Sequence, residues 1–129
     1  MSTSLASVGA ITLFVDDPKR SKAFYEHVFD VSPIYEDDVS AAFRFGETVV
    51  NLLARRAAGT LIAPAAVGAT GDGAQLQLTI PVEDADAASA EVRARGVELL
   101  NGPMDREWGV RTAAFADPDG FVWELAQEL

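Results

Sequence analysis

The chain has 129 residues, which fits one domain and is enough to bury a sizeable core. Its net charge of −10, with Lys19-Arg20 and Arg55-Arg56 as isolated basic doublets, sets it against phosphate backbones and anionic membrane surfaces, so nucleic acid and membrane are not expected partners. The absence of cysteine removes disulfides, thiolate metal sites and thiol nucleophiles, and no apolar run approaches the ~18–20 residues of a membrane span.

With 49% hydrophobic and 23% charged residues the composition is that of a folded globular protein. Met1-Ser2-Thr3-Ser4 lacks a basic region followed by an apolar stretch, so the expectation is a soluble cytoplasmic protein.

Residues 8–15 alternate as a strand, with Ile11, Leu13 and Val15 on one face and Ala10, Thr12 and Phe14 on the other. Asp17 and Pro18 then form a helix start, cap followed by first helical position. The helix is expected to run to about Val28, with Ala23, Phe24 and Val28 as its inner stripe. Short strands follow at 33–37, 41–45 and 48–53, the last two joined by Gly46-Glu47. Residues 55–74, rich in Ala and Gly, read as a connection long for a compact domain.

The pattern then restarts. Residues 75–82 alternate as a strand with Leu76, Leu78, Ile80 and Val82 on one face. Asp84 caps a second helix whose stripe is Ala85, Ala88 and Val92, and Gly96 ends it. Strands are expected at 97–100, 110–116 and 121–127, the last two separated by the turn Asp117-Pro118-Asp119-Gly120.

Strand, helix and three strands thus occur twice. Val15-Asp16-Asp17 matches Val82-Glu83-Asp84 at a spacing of 67, and Val50-Asn51-Leu52 matches Trp123-Glu124-Leu125 at 73. Either half alone leaves one sheet face bare. The expected fold is therefore α+β: two βαβββ modules forming a curved mixed sheet around a concave cavity, helices on the outer face. Module one spans about 8–54, the linker about 55–74 and module two about 75–129 of a single domain, 1–129.

Val15-Asp16-Asp17 followed by Ala23-Phe24-Tyr25, then Trp108-Gly109-Val110-Arg111, then Phe115 to Gly120 leading to Trp123-Glu124-Leu125, together resemble the vicinal oxygen chelate superfamily, the glyoxalase and bleomycin-resistance group. The resemblance covers nearly the whole chain. It implies paired βαβββ modules around a cup, but no single activity: the superfamily includes metal-dependent lyases, isomerases, epimerases, dioxygenases and thiol transferases, and also metal-free proteins that sequester antibiotics.

In metal-dependent members four inward positions on the first and last strands of each module carry the ligands. The resemblance maps them to Ala10, Asn51, Gln77 and Glu124. Ala10 has no donor atom, Asn51 and Gln77 offer neutral amide oxygens, and Glu124 alone is a strong ligand, short of the roughly three that a catalytic divalent site needs. The one histidine, His27, lies on the first helix. No metal and no cofactor is expected.

Glu124 has three open readings: an inherited carboxylate bonded to Gln77 or Asn51, a general base, or a receiver of a ligand's amine or hydroxyl. Trp108 could stack on a planar ligand and Arg111 pair with a carboxylate or phenolate; alternatively Trp108 packs and Arg111 bonds locally to Asp117 or Glu107. Register places Thr12, Phe14 and Thr79 toward the cavity, making it largely apolar with a few hydroxyls. Phe43 and Phe45 share a face, cavity or core, with core the commoner fate. The apolar stretch 59–68 reads as linker, lid or dimer arm, and the resemblance implies a homodimer. Gly71-Asp72-Gly73 lacks the lysine and strand-to-helix setting of a phosphate loop, and no serine has a plausible histidine partner.

The leading functional expectation is metal-independent binding of a small hydrophobic or aromatic molecule, as in the bleomycin-resistance branch. A metal-free lyase, isomerase or cyclase using Glu124 as base is the alternative, with Asn51 and Gln77 orienting its substrate. A metal-dependent lyase or dioxygenase ranks below both.

Overall fold

In the computed structural model, which describes residues 5–129, strand β1 (Ala10–Val15) passes into helix α1 (Pro18–Phe29) through a cap that the sequence specifies. Asp17 is extended, and its carboxylate accepts from the backbone amides of Lys19 and Arg20 at 3.1 and 3.4 Å, while Pro18 occupies the first turn. Asp30, in the left-handed region at φ 55°, ends the helix. The leader reading at Met1–Ser4 falls outside the described residues.

Strands β2 (Tyr35–Glu36), β3 (Ser40–Phe45) and β4 (Thr48–Ala54) complete a four-stranded sheet of order β1-β4-β3-β2, with β1 parallel to β4 and the other pairs antiparallel. Its core lies against α1. Tyr25 stacks on Phe43 at 6.0 Å and on Phe29 at 5.3 Å, and Phe29 meets Phe45 edge-on at 5.2 Å. Phe43 and Phe45 therefore occupy the helix-covered face, beside buried Leu13, Val15, Val50 and Leu52. Each ring pair contributes roughly 0.5–1.5 kcal/mol beyond its area burial.

The buried stripe of α1 is Pro18, Ser21, Tyr25 and Val28; Ala23 is exposed and Phe24 only half-buried, which corrects the expected stripe. The cap at Asp17 sets the phase, and a 3.6-residue period counted from Pro18 reaches Tyr25.

The connection expected from residue 55 opens instead with a helix, α2 (Arg55–Ile62), packed on β4 and β1 through Ala58, which is fully buried. Ala, Arg and Leu favour helix, and Pro64 follows just beyond its end. No side chain caps its start at Ala54, so the usual signal is missing. Arg55 ties the segment back by hydrogen bonds to Asp16, at 2.7 Å, and to the carbonyl of Gly68.

The chain divides into two compact units at Gly68/Ala69. The second holds β5 (Gln77–Pro81), α3 (Ala85–Ala94), β6 (Asn101–Asp105), β7 (Val110–Ala116) and β8 (Val122–Glu128). Its strand order β5-β8-β7-β6, again with one parallel pair, repeats that of the first. The fold is α+β with two βαβββ modules, and strand pairing stays within each module, giving two four-stranded sheets where one shared sheet was expected.

Asp84 caps α3 by accepting from the amide of Ala87 at 3.0 Å. The buried stripe is Ala85, Ser89 and Val92, with Ser89 in the place expected for Ala88. The strand expected at 97–100 is displaced to Asn101–Asp105. A register shift between Asn101 and Met104 accommodates Gly102, at φ 83°. A Cβ there would run into the carbonyl oxygen of Thr112 and lie 2.8 Å from the Cα of Ala113, so only glycine fits. Among the described residues no helix is long and apolar enough to cross a membrane.

Candidate functional site

The duplication holds position by position in the parallel strand pairs. Ala10 stands opposite Val49 as Gln77 does opposite Val122; Thr12 stands opposite Asn51 as Thr79 does opposite Glu124. Facing residues on paired strands share a sheet face. Because Leu13, Val50 and Leu52, and likewise Trp123 and Leu125, are buried on the helix side, these polar positions fall on the face turned away from α1 in module one and from α3 in module two.

In module one that face carries Thr12 and Phe14 from β1, Asn51 and Leu53 from β4, and Ser40, Ala42 and Arg44 from β3. Thr12 is exposed, Phe14 and Asn51 are half-buried, and Ala42, opposite Asn51, adds only a methyl group. The result is a mostly apolar surface with one hydroxyl and one amide near its centre.

In module two a single row crosses the whole sheet: Thr79 on β5, Glu124 on β8, Ala114 on β7 and Asn101 on β6. The Thr79 hydroxyl donates to Glu124 Oε1 at 3.0 Å. That bond replaces the amide partners, Gln77 or Asn51, expected for the carboxylate. Gln77 lies on the same face but is opposite Val122, one alternation away. Glu124 is half-buried and forms no ion pair with any described residue. A carboxylate offers about four lone-pair sites, and the single bond from Thr79 leaves most of them available.

The structure separates Arg111 from this face. It pairs across with Gln127, on the helix side of β7, and its guanidinium bonds Asp105 at 2.7 Å and Asp86 of α3 at 2.8 Å. This corrects both sequence readings of Arg111: it does not line the face of Glu124, and its partners are neither Asp117 nor Glu107. The Arg111 bond holds the Asp105 carboxyl below the usual carboxylate range, and the two acids hold the guanidinium's own pKa above its ordinary value. Trp108 sits in the turn between β6 and β7 with 72% of its surface exposed.

Three residues of this face, Arg106, Asn101 and Thr112, escaped the sequence reading. Arg106, half-buried just beyond β6, donates through Nε to Thr112 Oγ1 at 2.9 Å and through Nη2 to Asn101 Oδ1 at 3.3 Å. Asn101 ends the polar row, and Thr112 is the neighbour of Ala114 along β7 on the same face. The detectable signal was the alternation along β7, which sends Thr112 to the side opposite Arg111.

The Asp117-Pro118-Asp119-Gly120 turn is a scaffold. Buried Asp117 accepts from the amides of Asp119 and Phe121, both at 2.9 Å, and this fixes where β8 begins. Among the described residues no group of three or more His, Asp or Glu side chains is placed to hold a metal ion. The inherited positions do not fit one either, since Ala10 has no donor and the amides of Asn51 and Gln77 are weak, neutral ligands.

The family model described as Glyoxalase/Bleomycin resistance protein/Dioxygenase superfamily matches residues 7–125. The uncharacterized protein YraH of Bacillus subtilis (strain 168) is 32% identical over 123 residues, covering 92% of this chain and 96% of its own. A glyoxalase/bleomycin resistance protein/dioxygenase from Nocardioides superposes with a TM-score of 0.88 at 21% identity, over 99% of this chain and 87% of that one. A glyoxalase-related enzyme from Fulvimarina pelagi does so with a TM-score of 0.82 at 23% identity, over 96% and 89%. These two structural likenesses speak to the fold, and the match along the sequence speaks to descent: the chain belongs to the glyoxalase/bleomycin resistance protein/dioxygenase superfamily.

Proposed function

We propose that the protein binds a small hydrophobic or aromatic molecule without the help of a metal, in the manner of a bleomycin-resistance protein, with sequestration of an antibiotic as one use of such binding. The observation that carries this is the chemistry at the inherited ligand positions. One carboxylate, held by the Thr79 hydroxyl, is set among Ala114, Val122 and Ala126, while Asn51 in module one lies beside Phe14, Ala42 and Leu53. Such a surface suits an apolar body with few polar groups. We further propose that two copies associate as a homodimer, consistent with Leu61 on α2 exposing 72% of its surface.

The test is equilibrium dialysis against bleomycin and a panel of aromatic natural products, with mass spectrometry of the recovered ligand. Stoichiometric binding with the compound unchanged supports sequestration. Absence of binding across the panel overturns it.

Recovery of an altered compound favours the second reading, a metal-free lyase, isomerase or cyclase. Here Glu124 takes a proton from the bound substrate, Gln77 on the same sheet face orients it, and the proton is returned to the product. The observation favouring this reading is that Glu124 has a neutral hydroxyl as its partner among the described residues and no cation to neutralise it.

A further inference from the structure

Arg106 is half-buried on the same sheet face as Glu124, yet its guanidinium is held only by neutral acceptors, Thr112 Oγ1 and Asn101 Oδ1. Lys19, Arg44, Arg56 and Arg93 likewise form no ion pair with a described residue, but all four are exposed, whereas Arg106 is half-buried. Elsewhere in the protein Lys22 meets Glu36, Arg55 meets Asp16, Arg95 meets Glu91, and Arg111 meets both Asp86 and Asp105. Among the described residues Arg106 forms no ion pair and neither does Glu124, so one face of one sheet holds a cation and an anion each lacking a charged partner.

The two are neighbours without touching. Thr112, which anchors the guanidinium, lies diagonally across the β7–β8 pair from Glu124, where side-chain origins are roughly 7–8 Å apart. Asn101, the second anchor, is two strands from Glu124, roughly 10 Å along the row. Between Glu124 and Asn101 the row holds only Ala114, whose small side chain is buried beneath its neighbours. Two neutral bonds fix the plane of the guanidinium and occupy two of its five donors, leaving the others for a planar anion.

We propose that Arg106 and Glu124 read the two ends of one ligand, an anionic group, carboxylate or phenolate, at Arg106 and a hydroxyl or amine donor at Glu124, with the ligand's apolar middle spanning the gap between the two side chains. This rests on the small-molecule-binding reading and narrows it from a hydrophobic ligand to an amphiphilic one. The acidic surface of the protein disfavours anions at large, so Arg106, the arginine anchored on the face of Glu124, supplies the selectivity.

Three flat, fluorescent probes separate the terms: 6-hydroxy-2-naphthoate carries both end groups, 2-naphthoate lacks the hydroxyl, and 6-hydroxy-2-naphthamide lacks the charge. Titrated into the whole protein, the first is expected to bind at least about tenfold more tightly than either of the others, the scale of a charge-assisted hydrogen bond. Arg106→Gln is expected to erase the advantage over the amide while leaving the amide's own affinity unchanged. Arg106→Lys keeps the charge and is expected to keep part of that advantage. Glu124→Gln is expected to shrink the advantage over 2-naphthoate. Circular dichroism and thermal unfolding establish that each variant is folded, and Arg106→Lys decides the matter if Arg106→Gln is not. Equal binding of acid and amide overturns the inference while leaving apolar binding in place. Binding of none of the three probes also overturns it, while the natural-product panel continues to judge the broader reading independently.

Discussion

Glu124 on β8 stands beside Thr79 on β5 and accepts its hydroxyl hydrogen at 3.0 Å, and the equivalent register in the other module sets Asn51 beside Thr12. The same register position thus occurs twice, charged in one module and neutral in the other. Whatever charge-dependent chemistry this pair performs belongs to the second module.

Replacing Glu124 by Gln keeps the shape and removes the charge. If the protein only sequesters, affinity for an uncharged ligand is expected to stay within about threefold, roughly 0.6 kcal/mol. If Glu124 is a base, turnover is expected to fall at least about a hundredfold with binding retained. Thr79→Val is expected to change either property less, because it removes one neutral hydrogen bond and not the carboxylate. Ligand titration and product analysis on the same preparations distinguish the cases.

Metal titration probes the donor set directly. With one carboxylate and two amides at the inherited positions, manganese, nickel, zinc and ferrous iron are expected to bind no more tightly than about millimolar, near 4 kcal/mol. Stoichiometric micromolar binding that Glu124→Ala abolishes would contradict the assignment and redirect work to metal-dependent lyase or dioxygenase assays.

Gly102→Ala is expected to destabilise the second module by about 3 kcal/mol or more, since the residue sits at positive φ and the added methyl meets the backbone of Thr112 and Ala113. Urea unfolding measures this; a loss below about 1 kcal/mol would mean that the bulge relaxes without cost.

Ser89→Ala is expected to act in the opposite direction. The Ser89 hydroxyl, 2% exposed on the inner stripe of α3, has no hydrogen-bond partner among the described residues. Removing it deletes an unsatisfied polar atom and improves helix propensity, a gain of about 0.5–2 kcal/mol by thermal unfolding. A loss of stability would show that the hydroxyl is satisfied in solution.

Asp105 and Asp37 both hold their protons less readily than free carboxyls. Asp105 is lowered by the Arg111 hydrogen bond, and Asp37 by the amide of Val39 and then the hydroxyl of Tyr35. A carboxyl lowered on folding stabilises the native state above the ordinary value near pH 4, and that contribution is lost as pH falls through the folded value. The stability difference between wild type and Asp105→Asn is therefore expected to be constant from about pH 5 to 7 and to narrow below about pH 4. A difference that does not change down to pH 2 would exclude this linkage.

Much of the fold was legible because the spacings of 67 and 73 mark the duplication before any element is assigned, and because Asp17 and Asp84 both announce their helices. The inner stripes were read less well. Ser21 and Ser89 are buried, and polar residues are not counted when a stripe is sought by hydrophobicity alone. Helix α2 lacked a capping side chain, and the strand expected at 97–100 instead lies at Asn101–Asp105, where Gly102 and Pro103, residues that strands disfavour, gave no signal of it. Thr79 and Glu124 could be proposed separately, but their contact depends on β5–β8 register, which a single sequence leaves open. Arg106 was illegible for a similar reason: its anchors, Asn101 and Thr112, become neighbours only through the β6–β7 register.

Strand β7 has two duties on alternate residues. At its back Arg111 fastens α3 to β6 through Asp86 and Asp105; at its front Thr112 steadies Arg106. A single-residue insertion or deletion within the strand would turn the rivet outward and the anchor of Arg106 inward together, whereas exchanging a side chain at Thr112 or Ala114 alters the front alone. The front of this strand is thus open to substitution, while its length is locked by the fastening on its reverse side.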